Sequence, residues 1–172
     1  MGLTPLAGIP MATRCGDIDP AIVPFVMKKE KLTPEEMDTI LNKKSGAYGI
    51  SCVSPDYRDI EEAAKNGDYK SQLALESQAY KIAQYIGSFY VTLGGLDCLV
   101  FTGGVGENGI EARERILNNL GCFGIKMDKE ANNMRGEEKL ISSADSKIPA
   151  YVIPTDEELM IARKTLKIVS EL

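Results

Sequence analysis

Strand-like runs alternating with helical patterns predict an α/β domain with a mixed sheet and packed helices. Three observations lead there. Leu96–Thr102 (L-D-C-L-V-F-T) is a short apolar run bounded by glycines, which reads as a buried strand of a parallel or mixed sheet. Ahead of it, Leu75, Ala79, Ile82, Ile86, Phe89 and Leu93 recur at three- and four-residue steps, one apolar stripe on a long helix. Behind it, Ala150–Ile153 reads as a strand stopped by Pro154, and Leu159, Ala162, Leu166 and Val169 then share one face of a closing helix.

The elements follow in order. The first 27 residues, rich in Gly and Pro, read as strand and loop leading into a short helix from about Pro20 to Met27, with Asp19 as its cap. Thr33, Pro34 and Glu36 form a capping-box signature for a helix to about Lys44. Ser45-Gly46-Ala47-Tyr48-Gly49 breaks it. Ser54-Pro55 opens a short helix over Asp56–Ala64, and Asn66-Gly67-Asp68 is a turn. The long helix runs from about Tyr69 to Leu93 and ends at Gly94-Gly95, with Tyr80, Tyr85 and Tyr90 read as packing residues. After the Leu96–Thr102 strand come a glycine turn over Gly103–Gly109, a helix over Ile110–Leu120 and a possible strand at Phe123–Met127. The last helix spans Asp156–Val169.

Composition excludes several function classes. The chain has 172 residues, the size of one ordinary domain, with 44% hydrophobic and 26% charged residues. Its net charge is −5, and its densest cationic stretch, Lys28, Lys29 and Lys31 beside Glu30, reads as a solvated face, so no nucleic-acid partner is expected. No apolar run reaches the ~18–20 residues of a membrane span, and the N-terminus is not a signal peptide. Cys15, Cys52, Cys98 and Cys122 form no C-x-x-C pair, and Cys98 reads as a core residue; free thiols fit a reducing, cytoplasmic setting. There is no histidine, so Ser-His-Asp, Cys-His and histidine–metal chemistries are excluded within this chain.

The sharpest local motif is Gly104-Val105-Gly106-Glu107-Asn108-Gly109, a G-x-G-x-x-G between a predicted strand and a predicted helix. Asp128 follows nineteen residues after Gly109, close to a dinucleotide fingerprint. Glycines let a ligand approach the backbone, and a helix N-terminus favours an anion. Both facts suit NAD and ATP equally, and a bare strand-to-helix turn with Asn108 as N-cap and Glu111 closing a capping box is a third reading.

Three separated segments carry more. They are M-G-L-T-P-L-A-G continued by T-R-C-G-D-I-D-P-A from Thr13, V-F-T-G-G-V-G-E-N from Val100, and I-P-T-D-E-E-L-M-I-A from Ile153; V-S-P-D-Y-R-D from Val53 agrees. In order and spacing they resemble the C-terminal part of the acetate kinase family. The resemblance implies an incomplete ribonuclease H-like domain of the actin and sugar-kinase type over residues 1–172. It also implies transfer of the ATP γ-phosphoryl group to acetate with Mg2+, and a homodimer. Propionate or butyrate kinases are the near alternatives for the acceptor. The family's catalytic aspartate and histidine, acetate pocket and H-L-G-N-G phosphate segment would all precede Met1, so the chain alone is expected to bind ATP or ADP without turning over. The rivals are a NAD-binding Rossmann domain and a non-catalytic interaction module.

Residue by residue, the resemblance makes Arg14 the transition-state arginine, against the plainer reading of a surface arginine paired with Asp17 or Asp19. It makes Asp56, Tyr57 and Arg58 a nucleotide-contacting stretch, with Tyr57 or Arg58 stacking on adenine. Gly104, Val105, Gly106, Glu107 and Asn108 match the segment that receives the adenosine and inner phosphates, with Glu107 toward ribose or solvent. Glu157 matches the magnesium glutamate, while Thr155 as N-cap would leave Glu158 to a capping box.

Overall fold

A computed structural model describes residues 2–171. The chain forms two compact units, one up to Gly94 and one from Gly95 onward.

The first unit is helical. Residues 2–18 form turns and loop, so the strand expected there is absent; their backbone bonds go to turns and to neighbouring helices instead. Helix α1 spans Ile22–Glu30 and α2 spans Pro34–Lys43. The predicted capping box on α2 is present in both directions: Glu36 N–H donates to Thr33 Oγ1 at 3.2 Å and Thr33 N–H to Glu36 Oε2 at 2.8 Å. The Ser45–Gly49 break stops α2 but then folds into its own short helix, α3 (Gly46–Ser51). Helix α4 covers Tyr57–Lys65, and its cap is Asp56 rather than Ser54. Helix α5 spans Tyr69–Leu93, capped by Asp68 and closed by Gly94 at φ 74°.

α5 packs on α3 and α4. Ala47, Ile60, Ala74 and Leu75 form the shared core, with Tyr57 and Ala64 against it. The predicted stripe on α5 is therefore buried only in its first half. Leu75 and Ala79 are buried, Ile82 and Ile86 half-buried, and Phe89 and Leu93 exposed, because α3 and α4 are too short to follow α5 to its end.

The second unit holds a three-stranded mixed sheet of order β1-β3-β2. Strand β1 is Leu99–Phe101, β2 is Lys139–Leu140 and β3 is Ala150–Val152. β1 runs parallel to β3 with Leu99 opposite Ala150, and β2 runs antiparallel with Lys139 opposite Val152. β1 is an edge strand, so only Phe101 is buried; Val100 and Cys98 are exposed, against the expected fully buried run. The glycine stretch is not an open turn but helix α6 (Gly103–Asn108), followed by α7 (Ile110–Asn118). The strand expected at Phe123–Met127 does not form: Gly121–Phe123 is a single 3-10 turn, and Met127 makes an isolated bridge to Ser142. A short α8 (Lys129–Asn132) and strand β2, both unpredicted, lie in the polar sequence between Met127 and Ala150. Ile116, Leu117, Leu120, Ile125, Ile141, Ala150 and Val152 make the core. Helix α9 (Glu157–Ser170) buries none of its residues, its predicted apolar face included.

Candidate functional site

Arg14 lies in a loop that the N-terminus of α3 grips by its backbone. Ser45 N–H donates to Thr13 O at 2.9 Å, Ala47 N–H to Met11 O at 3.0 Å and Tyr48 N–H to Ala12 O at 2.8 Å. Thr13 Oγ1 adds a bond to Asn42 O at 2.9 Å. The arginine is half-buried, and its guanidinium bonds Met11 Sδ at 3.5 Å. Neither expected carboxylate partner takes it. Asp17 accepts from Gly8 N–H and from the Tyr85 hydroxyl, bonds that hold its carboxyl below the usual range, and Asp19 accepts from Ala21 N–H. A cation on a fixed loop without a carboxylate neighbour is suited to an external anion.

Asp56 does two jobs at the start of α4. Its Oδ1 caps the Arg58 N–H at 2.9 Å, and the carboxylate holds the Arg58 side chain, Nη2 to Oδ2 at 2.5 Å with Nε 3.1 Å from both oxygens. These bonds to Arg58 bring the Asp56 carboxyl down to about 2. Tyr57 instead packs on the unit's core, and Gln78 Nε2 donates to its hydroxyl at 2.5 Å. Burial pushes that phenol up to about 12. Of the two residues offered for stacking, Tyr57 is committed to packing. Arg58 is exposed, with its guanidinium edge pinned and its flat faces open.

In the second unit, β1 runs directly into α6. A Cβ placed on Gly104 would meet nothing within 4 Å, although the residue is helical. Gly106 is glycine for an internal reason, since its Cβ would come within 3.2 Å of the Phe101 backbone. Asn108 does not cap α7; its Nδ2 turns back to Gly104 O at 3.2 Å, and α7 starts at Gly109 without a side-chain cap. The Glu107 carboxylate faces inward along the chain. Its Oε1 accepts from Gly103 N–H at 2.8 Å and from both the N–H and the hydroxyl of Thr155, each at 2.9 Å. The Thr102 and Thr155 hydroxyls meet at 2.7 Å. These donors, Thr155 first, hold the Glu107 carboxyl below its ordinary value.

That network also moves the cap of α9. Thr155 is occupied by Glu107, so Asp156 takes the N-cap position at φ 49°, accepting from Leu159 N–H at 3.2 Å. The Thr155–Glu158 capping box expected from the sequence does not form. Glu157 becomes the first residue of α9, exposed and with no hydrogen bond or ion pair to another described residue. Among the described residues no three carboxylate, thiol or imidazole groups converge as a metal cage. Magnesium bound to a nucleotide needs only one or two protein carboxylates besides phosphate and water oxygens, so the uncommitted Glu157 fits that ion.

Sequence reasoning passed over Arg113. It is fully buried in α7 and reaches five oxygen acceptors as well as Met134 Sδ. Nε donates to Asn132 Oδ1 at 2.7 Å, Nη1 to Gly106 O at 2.9 Å and Glu107 O at 3.0 Å, and Nη2 to Asn132 O and Met134 O at 2.8 Å each. It thereby fixes the C-terminal end of α6. The signal was present: positions 113, 116, 117 and 120 share one helix face, so an arginine sits on the apolar stripe.

The dinucleotide reading fails on this geometry. Asp128 caps α8 by accepting from Glu130 N–H at 2.9 Å and Ala131 N–H at 3.0 Å. The strand after β1 is antiparallel and lies on the far side of β3, unlike a βαβ unit.

Comparison with known proteins agrees. The model of the acetokinase family matches residues 1–163. The acetate kinase of Halothermothrix orenii is 56% identical over 98% of this chain and 42% of its own length. That of Methanosarcina thermophila is 55% identical over 98% of this chain and 41% of its own. Among solved structures, the acetate kinase of Porphyromonas gingivalis superposes with a TM-score of 0.90 at 45% identity, covering 98% of this chain and 43% of that one. A propionate kinase from Francisella tularensis gives 0.87 at 39% identity, covering 94% and 41%. The fold is thus that of the acetate kinases, of ribonuclease H-like type, and the chain spans about 42% of the length of the curated relatives it matches. The chain belongs to the acetokinase family.

Proposed function

We propose that these 172 residues are the nucleotide-binding part of an acetate kinase, which moves the γ-phosphoryl group of ATP to acetate and yields acetyl phosphate and ADP. The observation that carries the nucleotide reading is Gly104. Glycine in a helix costs about 1 kcal/mol relative to alanine, and nothing in the chain occupies the space a Cβ would take. An open glycine at that point lets a ligand approach the backbone closely.

Gly104, Val105, Gly106 and Asn108 then receive the adenosine and inner phosphates, with Glu107 shaping the segment. Arg58, held by Asp56 and with Tyr57 anchoring the helix start, stacks on adenine. Arg14 pairs with equatorial oxygens of the transferring group, where charge spreads in the transition state. Glu157 holds Mg2+ on the nucleotide, and the ion supplies neutralisation of phosphate charge. A propionate kinase shares the fold, so the fold alone does not select the acyl acceptor. A homodimer fits the exposed apolar side chains of α5 and α9. The free cysteines suit a cytoplasmic enzyme; among the described residues no helix is long and apolar enough to cross a membrane.

Calorimetric titration tests this reading. ADP with Mg2+ binds the chain saturably and NAD does not compete; binding of NAD in preference to ADP would overturn it. Light scattering at high protein concentration gives a dimer, and a strictly monomeric species would count against the pairing.

A further inference from the structure

We propose that Glu107 is a positioning residue whose carboxylate latches Thr155 and Gly103, so that Glu157 is presented at a fixed place relative to the glycine helix. For the identity of the ligand, the proposal rests on the nucleotide reading above.

The geometry is specific. One oxygen, Glu107 Oε1, takes three donors: the Gly103 N–H, the Thr155 N–H and the Thr155 hydroxyl. Gly103 N–H also lies 3.1 Å from Thr155 Oγ1, and the Thr102 hydroxyl meets the same atom. The ends of β1 and β3 are therefore tied together by side chains just where their ladder stops. Ile153 N–H to Phe101 O at 2.9 Å is the last backbone bond before the latch.

Two residues after Thr155 comes Glu157. Between them Asp156 stands at φ 49°, in the left-handed region that non-glycine residues adopt sparingly and keep when their surroundings hold them there. Here they do so from both sides. Glu107 holds Thr155, and the Asp156 carboxylate takes Leu159 N–H. α9 buries none of its own residues, so packing does not set its starting direction. The latch does.

The test uses the 172-residue chain, wild type, Glu107→Ala and Glu107→Gln, read by amide hydrogen exchange and by ADP titration with and without Mg2+. In Glu107→Ala the Gly103 and Thr155 amides exchange at least about tenfold faster, as expected for loss of a bond to a charged acceptor. Ile141 and Ile153 stay protected, and Glu107→Gln, which keeps an oxygen acceptor, is intermediate. ADP affinity with Mg2+ falls roughly tenfold in the alanine variant, while metal-free ADP binding changes less than about twofold. Unchanged exchange at Gly103 and Thr155 overturns the latch. Equal loss of binding with and without metal overturns the positioning role in favour of direct nucleotide contact. If the alanine variant loses protection at Ile141, the glutamine variant decides by the same exchange criterion. A wild-type chain that binds no ADP removes the nucleotide reading, while the exchange arm still decides the latch.

Discussion

A side chain at Gly46 would collide with the backbone of the loop that carries Arg14. Its Cβ would lie 2.7 Å from the Arg14 carbonyl oxygen and 2.1 Å from that of Met11, and Gly46 itself stands at φ 61°. Gly46→Ala therefore meets both a clash with backbone and a strained dihedral. It destabilises the first unit by about 1–3 kcal/mol, measured as a shift in the urea midpoint. An unchanged midpoint would show that the loop is not held as described.

Gly104→Ala has the opposite signature. The position is helical and open, so alanine leaves stability unchanged or raises it by up to about 1 kcal/mol. The added methyl occupies the space assigned to ligand, and ADP affinity falls about tenfold or more. Separate thermal and calorimetric measurements check the two halves. Unimpaired ADP binding would remove the observation on which the nucleotide reading rests.

Arg113 carries the glycine helix on its guanidinium. Arg113→Met strands the carbonyls of Gly106, Glu107, Asn132 and Met134 and costs about 3–5 kcal/mol in denaturant unfolding. Arg113→Lys does not restore the loss, because an ammonium cannot reproduce the planar fork. Full rescue by lysine would mean that charge, and not geometry, is what the site needs.

Acidification separates the α4 cap from ordinary carboxylates. The Asp56 carboxyl is depressed to about 2 by its bonds to Arg58. A depressed group contributes stability above its unfolded pKa, near 3.9, and loses it as pH falls through the folded value. The Asp56–Arg58 contact therefore survives at pH 3 and is released near pH 2. A carbon-detected NMR titration of the Asp56 carboxyl follows this directly. A midpoint near 3.9 would mean that the pair is not formed in solution.

What was legible in the sequence was periodic or capped. The long helix Tyr69–Leu93 and the α2 capping box came from local rules that the fold obeys. The misses have tertiary causes. Gly103–Asn108 coils into a helix whose C-terminal carbonyls are held by Arg113 of α7 and whose Glu107 is tied to Thr155, and those two partners lie outside it. Thr155 reads as an N-cap by propensity, but a carboxylate 48 positions earlier captures it and passes the cap to Asp156. The short strand Lys139–Leu140 exists only by pairing with Ala150–Val152 and has no pattern of its own. At the candidate site, the motif residues were named from resemblance, while the bonds that shape them, Glu107 to Thr155 and Arg113 to the end of α6, required three dimensions.

The most direct test of the account is paired. Acetyl phosphate formation from ATP and acetate is assayed for the 172-residue chain alone and again with the N-terminal portion of an acetate kinase added in trans, with ADP binding measured on the same sample. Phosphoryl transfer depends on positioned groups around the developing charge. This chain offers Arg14 and Glu157, with no histidine at all. The chain alone binds ADP without turnover, and addition of the N-terminal portion gives turnover that is lost in Arg14→Ala. Robust turnover by the chain alone, or restored turnover indifferent to Arg14→Ala, would contradict this reading.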